Sequence, residues 1–224
     1  MSRSFLTLAI IAIVLAANGI TLVTAEPAPP ANLKYRVVAP GISRAEPAPT
    51  PSPTPKPAPY AGPVAWLYLA SAGVSAQWPV ESRDTTFVSG RETFQDPSSP
   101  ERIAWYTRFG QPGYPANNSI FAAHINYVGF GAGPFANLAE AVPGDALYVS
   151  MVNGDLHTYT VISVDTVPLA ALENGAMDAY VFPALGLHDE QVTLISCGGD
   201  FVERPRGGGD YTSRIILVAR RYVD

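Results

Sequence analysis

Cys197 is the only cysteine in the 224-residue chain, and it ends a short apolar strand candidate at residues 191–197. A single cysteine forms no intrachain disulfide. Three interpretations are therefore open: a buried apolar residue, a disulfide to a second chain, or a nucleophile. Gly198 and Gly199 follow it, and glycines let a substrate backbone approach closely because they have no Cβ. A residue at the end of a strand is held rigidly and is open on one side, which favours the interpretation of Cys197 as a nucleophile.

A cysteine nucleophile needs a base or a cation nearby, because only a few per cent of a free thiol is ionised at neutral pH. Of the three histidines, His124 ends an apolar run as Cys197 does, so both would reach one rim of the fold. His157 lies one residue into a hairpin strand, and His188 lies in a loop beside carboxylates. No histidine pair has metal-ligand spacing and one cysteine does not make a zinc site, so we predict no metal and no cofactor.

Arg214 is the third residue that could take part in such chemistry. It begins the apolar part of the last strand candidate, residues 213–222. Taken alone, an arginine at the start of a strand is most often solvated. If this strand lies beside the one that ends at Cys197, however, the connection at residues 198–213 returns Arg214 to the thiol. A guanidinium there would bind a carbonyl oxygen as it becomes an oxyanion.

The domain that must position these residues is predicted to be mostly β. Asn153-Gly154-Asp155 predicts a tight hairpin turn, since Asn-Gly readily adopts positive φ angles. Short strands separated by Gly and Pro turns predict a closed or nearly closed β-barrel. The strand candidates are residues 65–69, 146–152, 156–164, 191–197 and 213–222, and the short helix candidates are residues 101–109, 135–141 and 169–173.

The first 63 residues differ in composition from the rest. Residues 1–25 are mostly apolar after Arg3, which is long enough for one membrane-spanning helix of about 20 residues. They exceed the apolar core of a cleaved signal, about 7–15 residues, although Val23-Thr24-Ala25 resembles a cleavage site. We therefore predict a single-pass plasma-membrane anchor with the rest of the chain extracytoplasmic, and secretion after signal cleavage as the alternative. The Pro-rich residues 26–63 are interpreted as a stalk or as a disordered linker without a spacing role.

Residues 64–224 are predicted to form one catalytic domain. They contain no lysine, because Lys34 and Lys56 both precede them, and their nine arginines face 17 acidic residues. This acidic balance argues against a nucleic-acid partner and against contact with anionic lipid through the domain's own surface.

Several motifs resemble those of the sortases, the cysteine transpeptidases of the bacterial cell surface. Thr-Leu-Ile-Ser-Cys at residues 193–197 resembles the sortase Thr-Leu-x-Thr-Cys motif, and His124, Cys197 and Arg214 follow the family's order. Phe-Ala-Asn-Leu at 135–138, followed by Pro-Gly-Asp at 143–145, resembles a further family segment. Cys-Gly-Gly at 197–199 is most similar to the single-domain class F type. Ser196 stands where threonine is usual and Ala123 where glycine is frequent, and the loop at 201–210 suggests a different ligand preference.

The resemblance implies a closed eight-stranded sortase-type β-barrel with short helices, and a mechanism. Cys197 would attack an LPxTG-like C-terminal sorting signal of a protein substrate between Thr and Gly. His124 would protonate the leaving amine and later deprotonate the incoming amine, an acceptor on the cell surface. Arg214 would hold the substrate and stabilise the oxyanion.

The resemblance also implies a substrate-recognition segment before the cysteine strand, within residues 165–190. Its apolar side chains would line a groove, or would instead fill the rim of the barrel. The candidate substrate-binding residues are Ser196, Val167, Leu169, Leu172, Val181 and Leu185.

The alternative interpretations are a different cysteine enzyme, a hydrolase with the same fold, and a non-catalytic protein. L,D-transpeptidases carry their cysteine in a Ser-His-Gly-Cys run, and papain-like peptidases place Cys before His, so both fit the residues around Cys197 poorly. A sortase-fold hydrolase would use the same three residues with water as acceptor. A non-catalytic surface binding module would carry an inert cysteine.

Overall fold

The computed structural model describes residues 57–88, 90–205 and 208–223, and these form a mostly β domain. The strands are β1 (Val64–Tyr68), β2 (Val80–Arg83), β3 (Thr85–Val88), β4 (Arg91–Phe94), β5 (Ile103–Tyr106), β6 (Asn117–Ala122), β7 (Asn126–Tyr127), β8 (Gly131–Ala132), β9 (Ala146–Met151), β10 (Leu156–Pro168), β11 (Asp189–Glu203) and β12 (Gly209–Tyr222). The two α-helices are α1 (Leu169–Ala171) and α2 (Asp178–Val181), and short 3-10 turns lie at Ala70–Ala72 and Leu138–Glu140.

Eight strands form one sheet in the order β1-β9-β10-β12-β11-β6-β5-β2. The sheet curls into a nearly closed barrel with β1 and β2 at the two ends of the order, which confirms the predicted fold class. β9 and β10 form the predicted hairpin, with Gly154 at φ +93° in its turn. β11 pairs antiparallel with β12 and parallel with β6, so the strands that carry Cys197, Arg214 and the approach to His124 lie side by side.

The two faces of the central strands contact different clusters, because successive side chains along a strand point to opposite faces. Val192 and Leu194 of β11 belong to the large core inside the barrel, whereas Ile195 belongs to a second cluster on the outer face. This outer cluster consists of Ala104, Tyr106, Ile120, Val181 and Ile195. Val181 reaches it from the segment formed by α1, a kinked turn and α2, residues 169–181, which therefore lies over the outer face.

One predicted helix is wrong. Residues 101–109 contain strand β5 instead, and all four β5 residues are buried. They pair with β2 on one side and β6 on the other, so tertiary pairing determines their structure. The helix predicted at 169–173 is confirmed by α1, and the one at 135–141 is reduced to the 3-10 turn Leu138–Glu140. Phe135 and Leu138 are core residues of the barrel.

The two strands at the predicted site are longer than expected. β11 begins at Asp189 and continues past Cys197 to Glu203, so the cysteine does not end its strand. β12 begins at Gly209, which places Arg214 inside the strand. A bulge between Gly198 and Phe201 separates the regular ladder from the extended hairpin tip, so the ladder itself is regular only up to the neighbourhood of the cysteine.

The described end of the predicted stalk contacts the barrel. The Tyr114 hydroxyl donates to the Pro59 carbonyl at 2.8 Å, the Gln111 side-chain amide donates to the Gly62 carbonyl at 2.9 Å, and Tyr60 packs against the core. The predicted membrane helix, residues 1–25, lies outside the described residues. Within the part of the chain that the structure describes, no helix is long and apolar enough to cross a membrane.

Candidate active site

Strand register brings Cys197 and Arg214 together. They are directly opposite in the antiparallel β11–β12 pair, and Val167 of β10 is opposite Arg214 in the next pair. Directly opposite residues place their side chains on the same face, within reach of each other. Because Cys197 lies two residues after Ile195, all three side chains lie on the outer face of the barrel.

His124 reaches the same face by continuing the parallel pairing of β6 with β11. Ala122 is opposite Ile195, and the backbone N–H of Ala123 extends the ladder by donating to the Ile195 carbonyl at 3.3 Å. β6 itself ends at Ala122, and the same register continued two residues beyond Ala122 and Ile195 would bring His124 opposite Cys197. The N–H of Phe135 donates to the His124 carbonyl at 3.1 Å, and the imidazole packs edge-on against Tyr127 with 5.4 Å between ring centroids.

The electrostatic surroundings favour the neutral thiol. Cys197 is half-buried, and burial is the main reason that its pKa is raised above the usual value of a thiol. The Arg214 guanidinium lowers this pKa, whereas the carboxylates of Asp210 and Asp96 raise it. At neutral pH the thiol therefore keeps its proton, and attack on a carbonyl requires a group that accepts this proton. His124, two residues after the end of β6, is the candidate base.

Arg214 is held by its own strand. Its Nη1 donates to the carbonyls of Ser213 at 3.0 Å and Tyr211 at 3.3 Å, and its Nη2 lies 3.3 Å from Asp210 Oδ1. Within the described residues these contacts use three of the five guanidinium N–H groups. The side chain is 22% exposed, so the remaining donors are available to a ligand on the outer face.

Residues 75–222 match the family model of the sortase domain. This match covers more than half of the chain. The chain belongs to the sortase family. No curated protein sequence matches the chain.

Solved sortase structures are similar to this chain. Sortase C from Streptococcus pneumoniae matches with a TM-score of 0.50 and 13% identity, over 72% of this chain and 69% of that one. Sortase A from Corynebacterium diphtheriae matches with a TM-score of 0.48 and 19% identity, over 73% of this chain. The SrtA sortase from Actinomyces oris has a TM-score of 0.48 and 17% identity, over 75% of this chain and 84% of that one. The match spans 62% of the corynebacterial protein's length.

The six predicted substrate-binding residues of this sortase fall into three groups. Val167 lies on the outer face opposite Arg214, and Leu169, Leu172 and Leu185 are half-buried in or after the segment over that face. Val181 is buried in the outer cluster, as a residue that fills the wall of a groove would be. Ser196 is 3% exposed and opposite the core residue Ile215, so it faces into the barrel, away from the side chain of Cys197.

The two glycines after the cysteine have a structural explanation that differs from the predicted close approach of substrate. A Cβ at Gly198 would lie 2.6 Å from the Ile215 side chain, because the backbone is packed tightly there. Gly199 has φ +75° in the bulge, a conformation that favours glycine. These glycines shape the strand beyond Cys197.

Two features of the site were missed by sequence reasoning. Asp210 contacts Arg214, and Asn118 contacts the segment over the outer face. The only signal for either was sequence proximity: Asp210 precedes Arg214 by four residues, and Asn118 precedes His124 by six.

Metal ligands do not cluster in the described part of this sortase. No group of three or more His, Cys, Asp or Glu side chains within residues 57–88, 90–205 and 208–223 could hold a metal ion. The predicted absence of a metal and of a cofactor stays a prediction, as does the class F type.

Proposed function

We propose that this sortase is a cysteine transpeptidase that cleaves an LPxTG-like sorting signal between Thr and Gly and transfers the protein to a cell-surface amine. The observation that supports this most strongly is the direct pairing of Cys197 with Arg214 across β11 and β12, with His124 two residues after the end of the neighbouring strand β6. These residues lie on an accessible outer face beside an apolar wall.

Acylation joins the thiol sulfur of Cys197 to the threonine carbonyl carbon. His124 accepts the thiol proton as the new bond forms, which a thiol of raised pKa requires. The carbonyl oxygen becomes an oxyanion that the free N–H groups of Arg214 bind. When the C–N bond to glycine breaks, His124 gives its proton to the leaving amine, and the acyl group stays on Cys197 as a thioester.

Transfer then releases the thioester to an amine. The acceptor amine attacks the same carbonyl carbon, His124 takes its proton, and the sulfur leaves and is reprotonated. The net reaction exchanges one amide bond for another, with no water consumed. The substrates are proteins with a C-terminal sorting signal, and the enzyme is held at the plasma membrane by residues 1–25 with its domain outside.

Substitution of the three residues tests this function. In full-length protein with fluorogenic sorting-signal peptides, Cys197→Ala abolishes turnover. His124→Ala and Arg214→Ala each lower kcat by about 10² or more, the scale of losing a general acid–base or an oxyanion donor. His188→Ala is the matched control, because this ring is exposed and stacks on Tyr222 away from these three residues. Near-normal cleavage by Cys197→Ala would exclude the mechanism.

A non-catalytic binding module is the second candidate, and the raised pKa of Cys197 favours it. An inert, half-buried thiol has this property as well. Alkylation separates the two. The transpeptidase reacts with iodoacetamide at neutral pH faster than its His124→Ala variant does, whereas an inert cysteine reacts equally slowly in both.

A further inference from the structure

The outer face of β6, β11 and β12 changes in character along the strands. At one end lie His124, Cys197 and Arg214, and the middle is apolar, with Ile120 and Ile195 in contact with Val181. At the other end the alternation of side chains places four polar residues on the same face. They are Asn118, Gln191, Thr193 and Arg220.

These polar side chains form a continuous chain of hydrogen bonds. Asn118 Nδ2 donates to the backbone carbonyls of Tyr180 at 2.7 Å and Val181 at 3.1 Å, and Asn118 Oδ1 accepts from the Thr193 hydroxyl at 2.9 Å. Gln191 Nε2 donates to that hydroxyl at 3.0 Å, and Arg220 Nε donates to Gln191 Oε1 at 2.9 Å. We call Asn118, Thr193 and Gln191 the amide latch.

The latch supplies hydrogen-bond donors to backbone carbonyls at the end of α2. The carbonyls of Tyr180 and Val181 are at the end of α2, and the last carbonyls of a helix have no intrahelical donor. Asn118 is 4% exposed and Thr193 is fully buried, so solvent does not replace a lost donor. The Tyr180 carbonyl also accepts from the Thr193 hydroxyl at 3.3 Å and from Gln191 Nε2 at 3.4 Å, whereas the Val181 carbonyl accepts from Asn118. A buried carbonyl without a donor is costly, so the position of residues 180–181 depends on Asn118 acting together with Thr193.

We propose that Asn118 is a positioning residue for recognition of the sorting signal, acting with Thr193 to fix the segment at 169–181 over the face that carries Cys197. This inference rests on the proposed function. The segment is fixed to the sheet at both of its ends. At one end α1 follows directly on Pro168, which is opposite Ser213 in β12, and at the other end α2 accepts the hydrogen bonds of the latch. Val167, Leu169 and Leu172 lie at the end near Arg214, so the latch keeps the groove wall in place from its far end.

Loss of the latch weakens substrate binding more than chemistry, because Asn118 touches neither Cys197 nor Arg214. In full-length protein, Asn118→Ala raises KM for the sorting-signal peptide about tenfold and changes kcat by about twofold or less. Amide hydrogen exchange at residues 177–182 also becomes faster. The N–H groups of Val181 and Phe182, which donate within α2 at 3.0 and 2.8 Å, report the opening directly.

Asn117→Ala is the matched control for the strand. Asn117 is the neighbouring amide in β6, and its Nδ2 donates to the carbonyls of Gln111 and Tyr114 in a different loop. Its removal lowers stability without touching the segment, so KM and exchange at 177–182 stay as in the unchanged protein.

Two conservative substitutions of Thr193 separate the effect of its hydroxyl from the effect of its shape. Thr193→Val removes the hydroxyl at nearly constant shape and reproduces the Asn118→Ala phenotype, whereas Thr193→Ser retains the hydroxyl and restores KM and slow exchange. Equal effects of Asn117→Ala and Asn118→Ala, or equal behaviour of the two Thr193 variants, would overturn the proposal. Hydrogen exchange needs no turnover, so it decides on the latch even if no peptide is a substrate.

Discussion

The reactivity of Cys197 is set by opposing charges at a half-buried position. Arg214 favours the thiolate, while burial, Asp210 and Asp96 favour the thiol. Asp210 also contacts Arg214 at 3.3 Å, so one carboxylate acts on the thiol directly and through the guanidinium. The thiol is therefore protected from oxidation and alkylation, which follow the thiolate.

Neutralising single charges is expected to move the pKa of Cys197 in opposite directions. Asp210→Asn lowers it, because the variant loses an anion near the thiol while Arg214 keeps its bonds to the carbonyls of Ser213 and Tyr211. Arg214→Ala raises it, because the nearby cation is gone. The rate of iodoacetamide alkylation against pH, followed by mass spectrometry, measures both shifts. Asp155→Asn, in the β9–β10 turn, leaves the profile unchanged, and a common direction for the first two variants would refute this picture.

Individual catalytic candidates could be predicted from the sequence because they carry rare residue types in a recognisable order. Three such residues can be identified without a structure: the lone Cys197, His124 at the end of an apolar run, and Arg214 directly before a second apolar run. Asp210 and Asn118 could not be assigned in the same way. Asp210 lies in the part of β12 before the predicted strand, and Asn118 donates to a carbonyl 62 residues away. Ser196 shows the same limit, since the side it faces follows from the pairing of β11.

The segment before β1, residues 57–63, belongs to the domain. The carbonyls of Pro59 and Gly62 accept hydrogen bonds from Tyr114 and Gln111, and Tyr60 packs on the core. Gly113 lies beside them, and its N–H donates to the buried Glu190 at the beginning of β11 at 2.7 Å. The segment thus supports the end of the barrel from which β11 starts.

Truncation tests that support. A chain that begins at Gly62 loses Pro59 and Tyr60 and is less stable than one that begins at Pro57, by about 1–2 kcal/mol from the lost apolar burial and one hydrogen bond. The expected fall in Tm is about 2–8 °C. Thermal unfolding of both chains measures it, and Tyr60→Ala in the longer chain reproduces most of the loss. Equal Tm values for the two chains would mean that the segment only rests on the surface.

Five of the twelve strands were predicted, β1 and β9 to β12, whereas the strands from β2 to β8 were not. The Asn-Gly turn and apolar alternation mark β9 and β10, since local chemistry determines a hairpin. The run Ile103–Tyr106 has no such local signal, because both of its faces are buried and only its neighbours β2 and β6 make it a strand. The tip of β11 beyond the bulge, residues 201–203, is exposed although Phe201 and Val202 are apolar, so burial ends before the strand does.

A buried polar network lies at the end of the barrel away from Cys197. The fully buried Glu190 accepts from the Tyr159 hydroxyl at 2.6 Å and pairs with Arg221 at 2.6 Å. His157 lies close by, and its Nε2 is buried without a hydrogen-bond partner among the described residues. Burial, and secondarily Arg221, hold the pKa of His157 below its usual value.

This network makes stability depend on pH. Because the pKa of His157 is lowered in the folded state, the unfolded chain binds a proton first, near pH 6.5, and the folded state then loses stability as the pH falls further. Urea unfolding at pH 7.5 and 5.5 measures the effect. His157→Gln removes this contribution, so the free energy of unfolding of the variant falls less between pH 7.5 and 5.5 than that of the unchanged protein. Equal falls in the two proteins would contradict the assignment to His157.

A β-barrel was predictable because strands separated by turn residues leave few other ways to bury their apolar faces, and the resemblance to sortases supplied the number of eight strands. The network at its end was not, because residues 157, 190 and 221 lie far apart in the chain and none has an unusual local pattern. Buried charges of this kind become apparent only once the strands are paired.

The central claim, a Cys197 acyl-enzyme that an amine resolves, is tested most directly by intact-mass spectrometry of the full-length protein. It is mixed with a library of Leu-Pro-x-Thr-Gly-like peptides, with and without an added amine. Residues 64–224 contain no lysine, so an acyl adduct mapped to this domain reports on the cysteine. The account predicts an adduct on Cys197 that persists without amine and disappears with it, as the ligated peptide appears. An adduct resolved only by water would make the enzyme a hydrolase, and the absence of any adduct together with an unreactive thiol would contradict the account.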